Sequence, residues 1–273
     1  MALPLRPLAF VLAATNHGSM IVNRNDYKMV DARSGFGVGF QLLNKSSFDE
    51  AEVGLALALL DSRRRHFGDG VETIDGGANI GVHTIEWARH MHNWGRVTAF
   101  EAQEHVYYAL AGNIAINNAF NARAHWAALG DKVGEIAIPK ANPLVPGSFG
   151  SLELRKRDGT EDIGQKVSYA AEDAMRVRLV TIDSLDMQRC DFFKLDVEGM
   201  EAEVLKGAIE TLKRCKPVLL VEVIKSDRQA LEALMTGLGY QVFVIGMNAL
   251  AVHASDPTLA SLKIEGGVLT FNR

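Results

Sequence analysis

A small set of acids and one lysine carries the chemistry that can be read from this chain. Asp75 closes a β-branched run, Val71-Glu-Thr-Ile, and is followed at once by Gly76, Gly77, Ala78, Asn79, Ile80 and Gly81. Glu101 closes a second such run, Val97-Thr-Ala-Phe, and Lys194, Asp196 and Glu198 alternate through a third. Glu222 sits near the end of a fourth. Carboxylates beside a glycine turn accept hydrogen bonds from sugar hydroxyls or an ammonium, and a lysine-held aspartate can take a proton from a hydroxyl.

These residues need strands to line them up. A short β-branched run, a glycine turn and an amphipathic stretch from His83 spell strand, turn and helix. In an open α/β sheet, ligands sit beyond the carboxyl ends of the strands where strand order reverses, so Asp75 and Glu101 are expected to face one crevice. The glycines do not fit a dinucleotide fingerprint, because the second required glycine falls on Ala78. Asp75 would also repel a pyrophosphate. S-adenosylmethionine, which has no phosphate and carries an ammonium and a sulfonium, suits an acidic strand end, glycines that admit the backbone, and helix N–H groups for its carboxylate. Glu101 is then the partner of both ribose hydroxyls, and adenine is expected near Ala128, Leu129 and Asp131. The expected cofactor residues are Asp75, Gly76, Gly77, Ala78, Asn79, Gly81, Glu101, Ala128 and Leu129.

On a strand, Lys194 and Asp196 share a side. A lysine in a buried parallel strand needs a partner, and Asp196 is the nearest, so Lys194 has a structural as well as a catalytic reading. Asp196, at the strand end, is placed to orient or deprotonate an acceptor hydroxyl. Glu198 either favours the N–H groups of the next helix or touches the acceptor. Glu222 raises an alternative, since two carboxylates at adjacent strand ends could hold Mg²⁺, although no third ligand is evident and no metal is assigned. The eight histidines show no ligand-type spacing; His17 and His83 could approach the crevice, but read first as turn and helix surface.

At 273 residues with a net charge of −4, the chain can bury an ample core and has no run of five like charges, which disfavours a nucleic-acid partner. Cys190 and Cys215 make neither a metal set nor a disulfide framework, consistent with a cytoplasmic setting. No stretch is long enough to span a membrane. The start, Arg6 then Leu8 to Ala14, could pass for a short leader, but Pro4, Pro7 and the turn at Asn16-His17-Gly18 read instead as the beginning of a β-hairpin.

Residues 1–66 are expected to form a β-rich extension with strands at Leu8–Ala14, Gly18–Asn23, Lys28–Ala32 and Gly37–Leu43. A helix capped by Ser46 or Ser47 should follow to His66, with Arg63, Arg64 and Arg65 closing it rather than forming a binding patch. Residues 67–273 are expected to form the main α/β domain, with a third strand at Arg123–Leu129. Between Gly134 and Leu185 the pattern breaks into short strands, including Lys166–Tyr169, around a loop from Asn142 to Ser151 that is a candidate wall of the acceptor pocket. A helix from Met200 to Lys213, one from Asp227 to Gly239, and a final antiparallel pair, Tyr240–Ile245 with Gly267–Phe271, complete the reading.

Asp75-Gly-Gly-Ala-Asn-Ile-Gly81, Glu101, Asn113-Ile-Ala-Ile-Asn117, Val180-Thr-Ile-Asp-Ser-Leu185, Lys194-Leu-Asp-Val-Glu-Gly-Met-Glu201, Val204-Leu-Lys-Gly-Ala208 and Leu220-Val-Glu222 together resemble the FkbM family of methyltransferases. The resemblance spans about residues 70–225 and rests most on the Lys194 to Glu201 block. It implies a doubly wound, mostly parallel seven-stranded Rossmann-like sheet of the class I type. It also implies S-adenosylmethionine as donor and a hydroxyl on a small molecule or sugar as acceptor. Asn79, where class I loops usually carry glycine, is this family's variant. A metal-dependent O-methyltransferase and a non-catalytic cofactor-binding module are the alternatives. The oligomeric state is not readable.

Overall fold

The computed structural model describes residues 7–265 and 268–271. The chain opens with a hairpin, β1 (Phe10–Thr15) and β2 (Gly18–Asn23), then the short pair β3 (Lys28–Met29) and β4 (Gly35–Phe36). The segment expected as a strand over Gly37–Leu43 is a helix, α1 (Val38–Lys45). Its free N–H groups are met from outside: the Asp26 carboxylate accepts from Gly39 N and the Asp26 carbonyl accepts from Phe40 N. That long-range cap outweighs the strand-like alternation of glycine and apolar residues.

The next helix, α2 (Glu50–Phe67), begins after Asp49 rather than at a serine. Ser46 ends α1 in a left-handed conformation, and the Ser47 hydroxyl donates to Glu50 Oε1 at 2.7 Å. Of the arginine triplet, Arg63 is buried and pairs with Asp191 at 3.4 Å and with Asp256, so it locks α2 to the sheet. Removing it would take from buried Asp256 the cation it pairs with and leave Asp191 with Arg189 alone, at 2.6 Å. Arg63→Ala is expected to destabilise the fold by about 3–5 kcal/mol, read as a fall in the denaturation midpoint with cofactor affinity retained in the folded fraction.

The main sheet comprises β5 (Val71–Gly76), β6 (Gly95–Glu101), β7 (Ala122–Trp126), β11 (Phe192–Leu195), β12 (Val218–Glu222), β13 (Tyr240–Ile245) and β14 (Asn248–His253). Their order is β13-β14-β12-β11-β5-β6-β7, with β12 through β7 parallel and β13 and β14 antiparallel. Strand order reverses between β5 and β11, which pair directly with Lys194 opposite Asp75. Alternate residues serve the two faces. Val71, Phe192, Val218 and Leu250 pack with Leu59 and Leu60 of α2 and with Trp87 of α3 (Val82–His90). On the other face, Ile74, Phe193, Leu219 and Ala251 meet three helices. These are α5 (Glu201–Lys206), α6 (Ile209–Cys215) and α7 (Arg228–Gly237).

Several sequence expectations are corrected here. The third strand is interrupted: after β7 comes β8 (Ala128–Leu129), which pairs with β10 (Met175–Val180), itself joined to β9 (Gly134–Ile138). Lys166–Tyr169 is not a strand. The helix expected over Met200–Lys213 is broken into α5 and α6 at Gly207, where a Cβ would stand 2.1 Å from the Gly130 carbonyl oxygen, and Asp183 caps α6 by accepting from Glu210 N and Thr211 N. The partner of β13 is β14, not the last residues of the chain; β16 (Val268–Phe271) pairs instead with β15 (Leu262–Glu265). Cys190 is buried and Cys215 half-buried, both free.

A further helix, α4 (Glu104–Ile116), carries the hairpin. Asn113 Oδ1 accepts from Ile21 N at 2.6 Å, and its amide donates to Ile21 O at 3.3 Å and to Ile80 O at 2.8 Å. Asn117 does the same for Ser19 N and O. Two asparagines one turn apart thus stand in for a neighbouring strand along β2.

Candidate active site

Above the carboxyl ends of β5, β6 and β11 lies a cavity of about 510 Å³. Its floor is the turn after β5. Gly77 has a φ of 78°, and a Cβ there would stand 1.8 Å from the Asp196 carbonyl oxygen, so only glycine lets the two strand ends close up. Asn79 is left-handed as well, with a φ of 51°, a conformation that asparagine tolerates; this accounts for asparagine replacing the usual glycine.

Gly77, Ala78, Asn79, Glu101, Ala128 and Leu129 line the cavity as expected positions. Asp75, Gly76 and Gly81 do not form its wall. Asp75 is fully buried under the loop, accepting from Thr84 Oγ1 at 2.6 Å, and Gly81 faces Leu110 of α4. Asp131 is exposed and outside the wall. Glu101 is the best-held acid of this half: Oε2 accepts from Asn79 N at 3.0 Å and Oε1 from Gln103 N at 2.8 Å. Burial nonetheless pushes its carboxyl up to about 7, against those backbone bonds. A buried acid with spare lone pairs, between apolar walls at Phe100, Ala102 and Leu129, fits a ribose and its base.

The other half of the cavity is crowded with charge. Lys194 is buried and donates to Asp196 Oδ2 at 3.1 Å. Burial works against its ammonium, but Asp196, Glu52 and Asp75 more than compensate and hold its pKa above the ordinary lysine range. Oxygens of Asp196, Glu198 and Glu222 lie within 4.8 Å of one another, so Glu198 joins the pair that the sequence had suggested. Burial and Asp196 push Glu198 and Glu222 well above the usual carboxylate range. Lys225 Nζ stands 2.5 Å from Glu198 Oε2 and 2.8 Å from Glu161 Oε2, while Glu222 Oε2 has no hydrogen-bond partner.

Glu201 Oε1 accepts from Val197 N at 3.0 Å and from Gly199 N at 3.1 Å, N–H groups of the loop ahead of α5 rather than of the helix itself. Glu198 lines the cavity. The loop expected as a wall contributes Ser148, Gly150 and Ser151. Arg157 pins its continuation down by donating to the carbonyls of Gly199 at 3.1 Å and Lys225 at 2.9 Å. Gly199 has a φ of 93°, backbone that favours glycine, and lies against the Arg157 guanidinium.

Sequence reasoning missed the contribution of α2 and misread His83. Asp49 and His83 line the cavity, and His83 Nε2 lies 3.2 Å from Glu52 Oε1. Burial would raise the Glu52 carboxyl, but His83, Lys194 and Asn248 together hold it at about 2. Lys225 and Glu161 were missed too. None of these has a local signature, because each reaches the site from a different element.

Residues 75–242 match the family model for the methyltransferase FkbM domain. Methyltransferase sdnD of Sordaria araneosa is 27% identical over 190 residues, covering 62% of this chain and 73% of the relative. Methyltransferase 1 of Beauveria bassiana (strain ARSEF 2860) is 23% identical over 189 residues, covering 65% and 75%. Among solved structures, methyltransferase FkbM from Methylobacillus flagellatus KT aligns at a TM-score of 0.48 with 17% identity, over 68% of this chain and 44% of that one. No helix among the described residues is long and apolar enough to cross a membrane.

Proposed function

The chain belongs to the FkbM methyltransferase family, and on that premise we propose that it methylates a hydroxyl oxygen on a small molecule or sugar. The observation that carries this reading is Asp196, held by the buried ammonium of Lys194 at the open end of the cavity where strand order reverses. S-adenosylmethionine, when bound, supplies a methyl group made electrophilic by its sulfonium sulfur. Glu101 accepts from the ribose hydroxyls, and the turn at Gly77 to Asn79 brings backbone close to the donor. Asp196 would accept the hydrogen of the acceptor hydroxyl, orient a lone pair on that oxygen toward the methyl, and take the proton as the methyl–sulfur bond breaks and the C–O bond forms. Lys194 fixes the carboxylate by donating to its Oδ2. Burial and the charges of Asp196 and Glu198 raise the Glu222 carboxyl, so when protonated it can donate a hydrogen bond to a neighbouring oxygen. Alignment and exclusion of water supply much of the remaining acceleration.

The reading is tested by incubating the protein with S-adenosylmethionine and a panel of glycosides and aliphatic alcohols. Release of S-adenosylhomocysteine and formation of a methyl ether are the expected result. Transfer to nitrogen or carbon, or cofactor binding with no transfer, would sink it. The three carboxylates also match the donor set of a divalent cation. Two ammonium groups already stand on Asp196 and Glu198, which favours proton handling over metal binding. EDTA is therefore expected to leave turnover unchanged; a loss restored by Mg²⁺ would transfer the acid cluster to a metal role.

A further inference from the structure

His83 keeps one ring nitrogen without a partner. The residue is 6% exposed and lines the cavity from the first turn of α3, and its Nδ1 is buried with no hydrogen-bond partner among the described residues. A buried polar atom of this kind calls for an explanation. Trp87 does not supply one: its ring packs on His83 at 5.6 Å between centroids, but its own Nε1–H is unpaired as well. The other nitrogen decides what Nδ1 can do. Nε2 lies 3.2 Å from Glu52 Oε1, and Glu52 Oε2 accepts from Asn248 Nδ2 at 2.7 Å, so the carboxylate is held in place. An ionised carboxylate only accepts. The ring hydrogen therefore sits on Nε2, and the neutral imidazole is left with a bare lone pair at Nδ1.

The methyl donor carries a group that suits this lone pair. Its α-ammonium needs acceptors, and Asp75, the acid that the strand end offers, lies beneath the loop and off the cavity wall. Asp196 and Glu198 each stand against a lysine ammonium already. Glu222 also has an unpartnered oxygen, but it ends β12, with β11 between it and the donor turn. His83 opens α3 directly after that turn, in which Asn79 gives its N–H to the ribose partner Glu101. We propose that His83 receives a hydrogen bond at Nδ1 from the α-ammonium of S-adenosylmethionine, with Glu52 as the positioning residue that fixes the ring. Glu52 beside the ring and Asp49 on the cavity wall are anions, and the nearby Lys194 is paired with Asp196, so a cation is better received here than the donor's carboxylate. Because the contact is with the donor, it is independent of which acceptor atom is methylated.

The test is calorimetry with S-adenosylhomocysteine and two analogues, one lacking the amino group and one lacking the carboxylate. The wild type is expected to bind the parent about tenfold or more tightly than the deaminated analogue, as one hydrogen bond to a charged group implies. His83→Gln keeps an amide that can donate to Glu52 but places no atom where Nδ1 stood, and should lose about tenfold of that preference. His83→Asn returns a polar atom near the position of Nδ1 and should retain more of it. The preference for the carboxylate should be the same in all three proteins. An unchanged amino-group preference in His83→Gln overturns the proposal, and so does an equal loss of both preferences, which marks a loosened cavity. Loss of the carboxylate preference alone also overturns it, because the ring would then be a donor. If the wild type binds none of the three ligands, the donor assignment falls and the proposal with it, whereas failure of the hydroxyl reading leaves these affinities untouched.

Discussion

Replacing Glu101 by alanine is expected to weaken S-adenosylmethionine binding by about a hundredfold or more, with the fold intact. The magnitude follows from two hydrogen bonds to one carboxylate at roughly 1.5–3 kcal/mol each. Calorimetry measures it directly, and unchanged affinity would remove Glu101 from the ribose site. The same residue sets a pH dependence. Burial raises the Glu101 carboxyl to about 7, so it is protonated in the free protein below that pH and ionised above it. The ionised form accepts from both hydroxyls. Affinity should therefore rise between about pH 6 and pH 8, with protons released on binding around neutrality, and Glu101→Gln should flatten the profile. Because both oxygens also hold backbone N–H groups of Asn79 and Gln103, the glutamine variant separates lost charge from a loosened loop better than alanine does.

Asp196→Asn is expected to keep the donor site and lower kcat by about 10²–10⁴, the range general-base assistance supplies. The asparagine can still accept from the acceptor hydroxyl but cannot take its proton. Donor affinity measured on the same preparation shows whether the cavity survived. Turnover equal to wild type would remove the base role and leave alignment as the source of rate. Glu52 and Asp75 remain near Lys194 in this variant, so its ammonium keeps counter-charge and the strand is not left with an unpaired buried cation.

The parts of this molecule that follow from local physics were legible in its sequence. The run from Val71 to Ile116 alternates strand and helix with a period that the structure keeps, and Asp75, the glycines and Glu101 fall at the turns where that period stops. The Lys194 to Glu201 block was legible for the same reason. What escaped depended on distant partners. α1 forms because Asp26 caps it from a preceding loop, and α5 and α6 separate because Gly207 must approach Gly130, neither of which leaves a mark on the local pattern. β14 did have a signal. Gly246, with a φ of 57°, and Met247 join two apolar runs, and glycine at the first position of a two-residue turn marks a hairpin. Asp49 and Glu52 reach the site because α2 packs on the face that also bears Lys194, a relation set by the sheet and not by either segment alone.

The asparagine pair that holds β2 has a dynamic consequence. Asn113 bonds at once to Ile21 in the hairpin and to Ile80 in the turn that floors the cavity. An opening fluctuation of the hairpin would therefore pull on this turn, and the two are expected to exchange amide hydrogens as one cooperative unit rather than as separate fraying ends. A ligand that stills the loop then slows the terminal hairpin too, although the hairpin strands form no part of the cavity wall.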